Sequence, residues 1–437
     1  MGHDHWIECK LADVCKAIDY GLTASAAEST AGPRFLRITD IVGATIDWTK
    51  VPSVEIDSRA TDKYRLHHGD IVIARTGAST GASAYINEPP LAVFASYLVR
   101  LKTIPEFDSR FVSYYLRSDA FWSFIRGVLG DKSAQPNASA RTMTQAPFRA
   151  PASNKEQRAI AHILGTLDDK IELNRRMSET LGAMAQALFK SWFVDFDPVK
   201  AKAAGRDTGL PISIAELFPD SFDHSDQGKI PTGWPRVPFT NTVEIFGGGT
   251  PKTNIVEYWN GGIPWFSIAD APADFEMWVI DTEKTISPAG LENSSTTLLL
   301  ERTTIISARG TVGKIAMAGT PMAINQSCYG LRGKLGTLGT FAYFATQQLL
   351  VLLRQRAHGS VFSTITRDTL ASVSVVEPPR LLVQAYEDLA EPMAQRIRAG
   401  MIESRVLTHV RDALLPMLLT GKIRVQGAAT AVAGALQ

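Results

Sequence analysis

Apolar residues recur at steps of three and four from residue 154 to residue 193. Ile160, Leu164, Leu167, Ile171, Met177, Leu181, Met184 and Leu188 form the seam. This spacing puts about one apolar side chain per turn on one face and predicts a single long amphipathic helix. The stretch has no proline and two glycines, Gly165 and Gly182, so few poor helix formers interrupt it. Asn154 is read as the N-cap, with Gln157 three residues on completing a capping box. Asp197-Pro198 lies just past the end, where helices tend to stop. At 1.5 Å per residue, about 40 residues reach roughly 60 Å, so the seam needs an equally long partner. Residues 381–419 offer one, with a seam of Leu382, Tyr386, Leu389, Met393, Ile397, Leu407, Val410, Leu414 and Leu418. Pro392 and Pro416 interrupt it; Pro392 stands in a first turn or kinks the helix. Two seams at near-heptad spacing can bury each other as a coiled coil, and a buried polar residue such as Asn174 then sets register. Antiparallel pairing would put the globular segments at opposite ends.

Those segments repeat. Residues 1–150 hold short β-type runs (34–38, 70–74 and 91–101), an aromatic-rich helix over 111–128 and a polar loop over 130–143. Residues 151–196 are the central helix. Residues 197–235 form a linker punctuated by Pro211, Pro219, Pro231 and Pro235 and too apolar to be a free tether. From 236 to 378 the pattern starts again. Phe35-Leu36-Arg37-Ile38-Thr39-Asp40 is echoed by Trp265-Phe266-Ser267-Ile268-Ala269-Asp270, and Ala74-Arg75-Thr76-Gly77 by Ala308-Arg309-Gly310, with Gly81 matching Gly313. The aromatic helix returns at 341–356 and the polar loop at 359–370. Residues 379–425 carry the distal helix. Residues 426–437 show no periodic face and are read as a disordered tail. The fold class is α+β: two similar mixed α/β domains separated by two long antiparallel coiled-coil helices.

Composition changes this picture little. The chain has 437 residues, 45% of them hydrophobic and 20% charged, which is ordinary for a globular protein. No run of about 18 apolar residues predicts a membrane span. The start resembles neither a signal nor a transit peptide, and Trp6 stands where a myristoylation motif wants Ser or Thr. Cys9, Cys15 and Cys328 lack a C-x-x-C spacing, so a reducing cytoplasm is the expected location. The formal net charge of +1 gives no global basic signature, which leaves only a local patch as a route to nucleic acid.

Catalytic motifs are missing. There is no G-x-x-x-x-G-K-[ST] loop, and Gly247-Gly248-Gly249-Thr250 reads as a turn. Asn87-Glu88-Pro89-Pro90 is not the contiguous Asn/Asp-Pro-Pro-aromatic of an amino-methyltransferase, and Glu8-Cys9-Lys10 stands too near the start for a nuclease acidic set. His3, His5, Cys9 and Cys15 fit no closed zinc site. No catalytic and no metal-binding residue is assigned. What repeats is donor-rich loops. Arg75, Thr76, Ser79 and Thr80 follow one strand; Arg309, Thr311 and Lys314 follow its counterpart. Ser133, Gln135, Asn137 and Arg141 lie in the first polar loop; Ser360, Ser363, Thr364, Thr366 and Arg367 lie in the second. Arg37, Thr39 and Ser267 sit in the echoed strand. Arginine and lysine suit phosphate or guanine, and amides suit adenine; the alternative is that these are solvated β-turns. Two other readings stand beside DNA recognition: a fused methyltransferase or nuclease with unrecognised motifs, and a coiled-coil protein scaffold.

Three stretches resemble a known family. Residues 154–196, the linker 210–234 and Leu407-Thr408-His409-Val410-Arg411-Asp412-Ala413-Leu414-Leu415 running on to residue 423 are similar to the conserved helices and linker of type I restriction–modification specificity subunits. The resemblance covers nearly the whole chain. It implies two target-recognition domains, each reading half of an asymmetric split site in double-stranded DNA, and helices that act as a ruler for the unread gap. It also implies docking of two methyltransferase subunits, to which restriction subunits can be added. The chain itself would be noncatalytic and bind no cofactor, with S-adenosylmethionine, ATP and magnesium on partner subunits. A 60 Å ruler would match roughly 18 base pairs, more than a gap needs, so the domains would overhang or fold back along it.

Overall fold

The computed structural model describes residues 6–27, 32–129, 137–225, 228–273, 276–334, 339–356 and 364–435. It divides into two compact units, residues 1–171 with 406–437, and residues 172–405. The fold is α+β, with a mixed domain in each unit and two 40-residue helices, Asn154–Phe193 and Arg380–Leu419.

The mixed domains share one plan. In the first unit an antiparallel sheet runs Cys15–Tyr20, Leu98–Thr103, Ile71–Ala74, Ser83–Tyr85. In the second it runs Val243–Gly247, Cys328–Gly333, Thr304–Ser307, Ile315–Ala318, with Trp278–Val279 added in parallel at the edge. Each has a separate parallel pair, Arg34–Leu36 with Ala92–Phe94 and Trp259–Phe266 with Ala323–Ile324. Each also closes its ends with an antiparallel pair, Trp6–Lys10 with Pro147–Pro151 and Arg236–Pro238 with Ser374–Val376. Two expected elements are split. The apolar run over 91–101 becomes two strands, because a turn intervenes in which Leu98 N donates to Ala95 O. The aromatic helix of the first unit is two helices, Ser109–Tyr115 and Asp119–Leu129. Ser118 lies at the break, its hydroxyl donating to Tyr115 O and accepting from Phe121 N, a local bond that competes with helix continuation. Its counterpart Gly339–Arg356 is unbroken.

In both units the long helices pair antiparallel. In the first, Ile160, Leu164 and Leu167 share a core with Leu407, Leu414 and Leu418, flanked by half-buried Ile171 and Val410. In the second, Ala185, Phe189 and Trp192 pack with Leu382, Tyr386, Ala390, Ala394 and Ile397, with Leu181, Leu188 and Met393 at the margin; Met177 is half-buried. Met184 and Leu389 depart from the expected seam. They are 50% and 40% exposed, and the neighbouring alanines Ala185 and Ala390 face inward instead. Small side chains there let the backbones approach, and the Tyr386 hydroxyl reaches Ala185 O at 3.1 Å. Asn174 and Gly400 stand at the same position of their respective helices and meet. Asn174 Nδ2 donates to Gly400 O (3.3 Å), Glu403 Oε2 (2.9 Å) and Ser404 Oγ (3.3 Å).

The helix ends correct further expectations. Asn154 is the first helical residue and not the cap; its amide donates to Pro105 O and Glu106 O. Gln157 is fully buried and ties Asp108 N to Pro151 O. The distal helix runs through Pro392 and Pro416. Both prolines are exposed, where water can satisfy the carbonyls that they leave without a donor. The described part of the tail is helical: Val425–Ala435 is a helix whose Ala428 and Val432, one turn apart, are buried in the first unit's core. Alanine and one valine suffice for that face, too little apolar contrast to read as a period.

Two carboxylate hubs fasten the helices to their domains. Asp168 accepts from Tyr114 Oη (2.7 Å), Arg117 (2.7 Å) and Arg411 (2.8 Å). Burial pushes its carboxyl up, but the Arg117 charge and the hydrogen bonds outweigh this and hold it below the usual range. Glu387 accepts from Phe341 N (2.7 Å) and Arg302 (3.2 Å), next to Glu391, which accepts from Arg302 (2.6 Å) and the Thr340 hydroxyl (2.6 Å). Burial dominates at Glu387 and raises its carboxyl to about 7.

Candidate nucleic-acid interface

In each unit the structure brings together the two donor-rich loops that are far apart in sequence. In the first, Ala138 N donates to Arg75 O at 2.9 Å and Thr76 forms a bridge with Asn137. In the second, Ile365 N donates to Ala308 O at 2.8 Å and Arg309 bridges Thr364. A short helix follows each junction and is capped by a hydroxyl, Ala140–Met143 by Ser139 and Arg367–Ala371 by Thr366. Gly77 and Gly310 both have φ of +75°, a conformation open to glycine at little steric cost. Each loop therefore turns sharply at the same point.

The shared hydrogen bonds also correct the alignment of the arginines. Arg75 N donates to Tyr97 O and Ala308 N to Ser327 O, so Arg75 matches Ala308 and Thr76 matches Arg309. A one-residue offset in extended chain reverses the side-chain face. Arg309 is exposed, whereas Arg75 is half-buried. The Arg75 guanidinium lies 5.0 Å from the Tyr20 ring centroid and bonds Asn137 Oδ1 at 3.3 Å, and its buried Nε has no hydrogen-bond partner among the described residues. The identity Ala-Arg shared by the two segments concealed the slip.

The other expected residues divide by place. Asn137, Thr311 and Lys314 are exposed on the loops, Arg141 is exposed on the short helix Ala140–Met143, and Ser79 is half-buried. Arg367 is exposed and donates to Ile245 O at 3.1 Å. Thr80 is buried and donates to Gly77 O, so it braces the turn. Arg37 is paired with Asp40 through two nitrogens at 3.0 and 2.8 Å. Ser267 bonds Asp270 in the matching place; both belong to capped 3-10 turns, while Thr39 is exposed. Ser133, Gln135, Ser360 and Ser363 lie outside the described residues. Two residues that the sequence reading passed over join the first edge: Tyr20, 45% exposed, whose hydroxyl accepts from Ala140 N, and Tyr97, 57% exposed. Tyr20 ends the strand Cys15–Tyr20; Ile18 and Tyr20 fall on the same face of that strand, yet Ile18 is the more shielded, so no period in the sequence marked Tyr20.

Among the described residues, no group of three or more His, Cys, Asp or Glu side chains is placed to hold a metal ion. Burial pushes the Cys15 thiol up to about 12, unlike a reactive thiolate. No helix among them is long and apolar enough to cross a membrane.

The two mixed domains repeat one plan, each with a junction of two donor-rich loops, and each unit includes part of the paired long helices. The model of the type I restriction modification DNA specificity domain matches residues 3–182 and again 231–381, well over half of the chain. The chain belongs to this family, and it is a specificity chain of a type I restriction–modification system, not the catalytic one. It is 23% identical to the Haemophilus influenzae type I restriction enzyme HindI specificity subunit, over 96% of this chain and 99% of that protein. It is 23% identical to the MjaIX specificity subunit of Methanocaldococcus jannaschii, over 73% of this chain and 70% of that protein. The solved S subunit from M. genitalium has the same fold, with a TM-score of 0.60 at 14% identity over 96% of this chain and 97% of that one.

Proposed function

We propose that this chain reads a bipartite, asymmetric DNA site in the cytoplasm, one half-site by each mixed domain, and that its two long helices set the unread gap. The observation that carries this reading is the double occurrence of one loop junction, each with a +75° glycine and a hydroxyl-capped short helix beyond it. Surface turns diverge freely unless both serve a common purpose. On this reading Asn137, Arg141 and the Arg75–Tyr20 pair act at one edge, and Arg309, Thr311, Lys314 and Arg367 at the other. Arginine and lysine contact phosphate or guanine; the amide contacts adenine. The remaining faces of the helices dock two methyltransferase subunits, which carry S-adenosylmethionine, and restriction subunits with ATP and magnesium can be added to them. A near-neutral specificity chain fits such an assembly, because partners can close around the duplex and supply positive surface. Sequencing of methylated adenines in cells with and without the gene tests it. A split motif present only in carriers is expected; identical methylation in both would overturn the reading.

A further inference from the structure

The internal repeat supplies a position-by-position control for an empty space in the second unit. A cavity of about 240 Å³ there is lined by Phe341, Ala345, Ser374 and Val375, with Phe189 and Phe239 beside them. Backbone pairing fixes the counterparts in the first unit. Cys9 pairs with Phe148 where Val237 pairs with Val375, and Lys10 with Pro147 where Pro238 pairs with Ser374. The helices beginning at Ser109 and Gly339 follow the strand ends Thr103 and Gly333 at equal distance. Phe111, Tyr115 and Phe148 therefore hold the places of Phe341, Ala345 and Val375.

In the first unit these three rings pack edge to face. Tyr115 and Phe148 centroids are 4.9 Å apart at 79°, and Phe111 and Phe148 are 6.3 Å apart at 87°. Phe148 is 1% exposed. The Tyr115 hydroxyl donates to the Pro147 carbonyl, whose counterpart is Ser374. In the second unit alanine and valine replace two of the three rings, and the cavity occupies their place. Ala345, Ser374 and Val375 are half-buried, so the space is reachable from solvent. Apolar cavities of this scale take up apolar guests such as benzene.

We propose that this cavity is a binding site for a single aromatic ring bearing a hydrogen-bond donor, in its simplest form a phenol. The ring takes the place that the Tyr115 and Phe148 rings fill in the first unit, and the hydroxyl donates to the Ser374 carbonyl. None of Arg309, Thr311, Lys314 and Arg367 lines it. The test titrates phenol into the full chain, followed by thermal melting and by fluorine NMR of para-fluorophenol. A saturable rise in the melting midpoint and broadening of the fluorine signal are expected, with toluene giving a smaller rise for want of the donor. Ala345→Tyr and Val375→Phe each fill the space; each should abolish the response, and either one alone suffices should the other fold poorly. No saturable response from the unmodified chain, or an undiminished one in the filled variants, would overturn the site. Equal responses to phenol and toluene would overturn the role of Ser374.

Discussion

Asp168 holds three donors at once, and its loss should register in the first unit alone. Asp168→Asn leaves Arg117 and Arg411 facing a neutral group. With the carboxylate 21% exposed, a cost of about 2–3 kcal/mol in chemical denaturation is expected, below the full value of a buried pair. Because its folded pKa is depressed, this contribution is present above the ordinary aspartate range and lost as pH falls through the folded value. Glu387 has the opposite sign. Its pKa is raised from 4.5 to about 7, so the folded state holds a proton that the unfolded chain has released, and stability falls as pH rises between those values. Glu387→Gln keeps an acceptor for Phe341 N and should flatten that slope, recovering on the order of 2–3 kcal/mol at pH 8; an unchanged pH profile would count against it. At the proposed reading edges the two arginines should differ. Arg309→Ala should weaken binding to all DNA sequences and lower the salt slope by about one. Arg75→Ala should also free Tyr20 and Asn137 and alter the preferred base. Equal effects in salt-resolved binding assays of the assembled enzyme would contradict these separate roles.

At the scale of elements, the long helices offer the cleanest manipulation. Removing four residues from both, at matched places within each unit's pairing, shortens a ruler by about 6 Å, or roughly two base pairs. A methylated motif with a shorter gap, or loss of methylation, is expected; an unchanged gap would remove the helices from that role. These helices were legible because forty residues of period 3.6 leave little ambiguity. Which residues they bury was less so. Leucine and methionine dominate a sequence pattern, yet Ala185 and Ala390 lie inside while Met184 and Leu389 lie outside, since close backbone approach favours the small side chain. The helix break at Ser118 and the tail helix were hidden for related reasons. One depends on a single hydroxyl bond, the other on an alanine-rich face. The loop junctions were legible as repeated Arg and Gly, but their register was not, because strand register is decided by partners distant in sequence.

At the scale of the whole molecule, specificity and chemistry are assigned to different chains. Removal of the partner subunits should leave this chain without methyl transfer of its own, which a methylation assay of the purified protein would check. The repeat also bears on how such a chain could be re-engineered. A designer exchanging recognition loops between the two domains would naturally anchor the splice on the shared Ala-Arg. The backbone bonds at Tyr97 and Ser327 show that this anchor is off by one. Such a graft would enter the loop one residue out of register and turn over the extended residues before the glycine, so that the exposed face there would point to the core. A splice anchored on Gly77 and Gly310 keeps both faces where they belong.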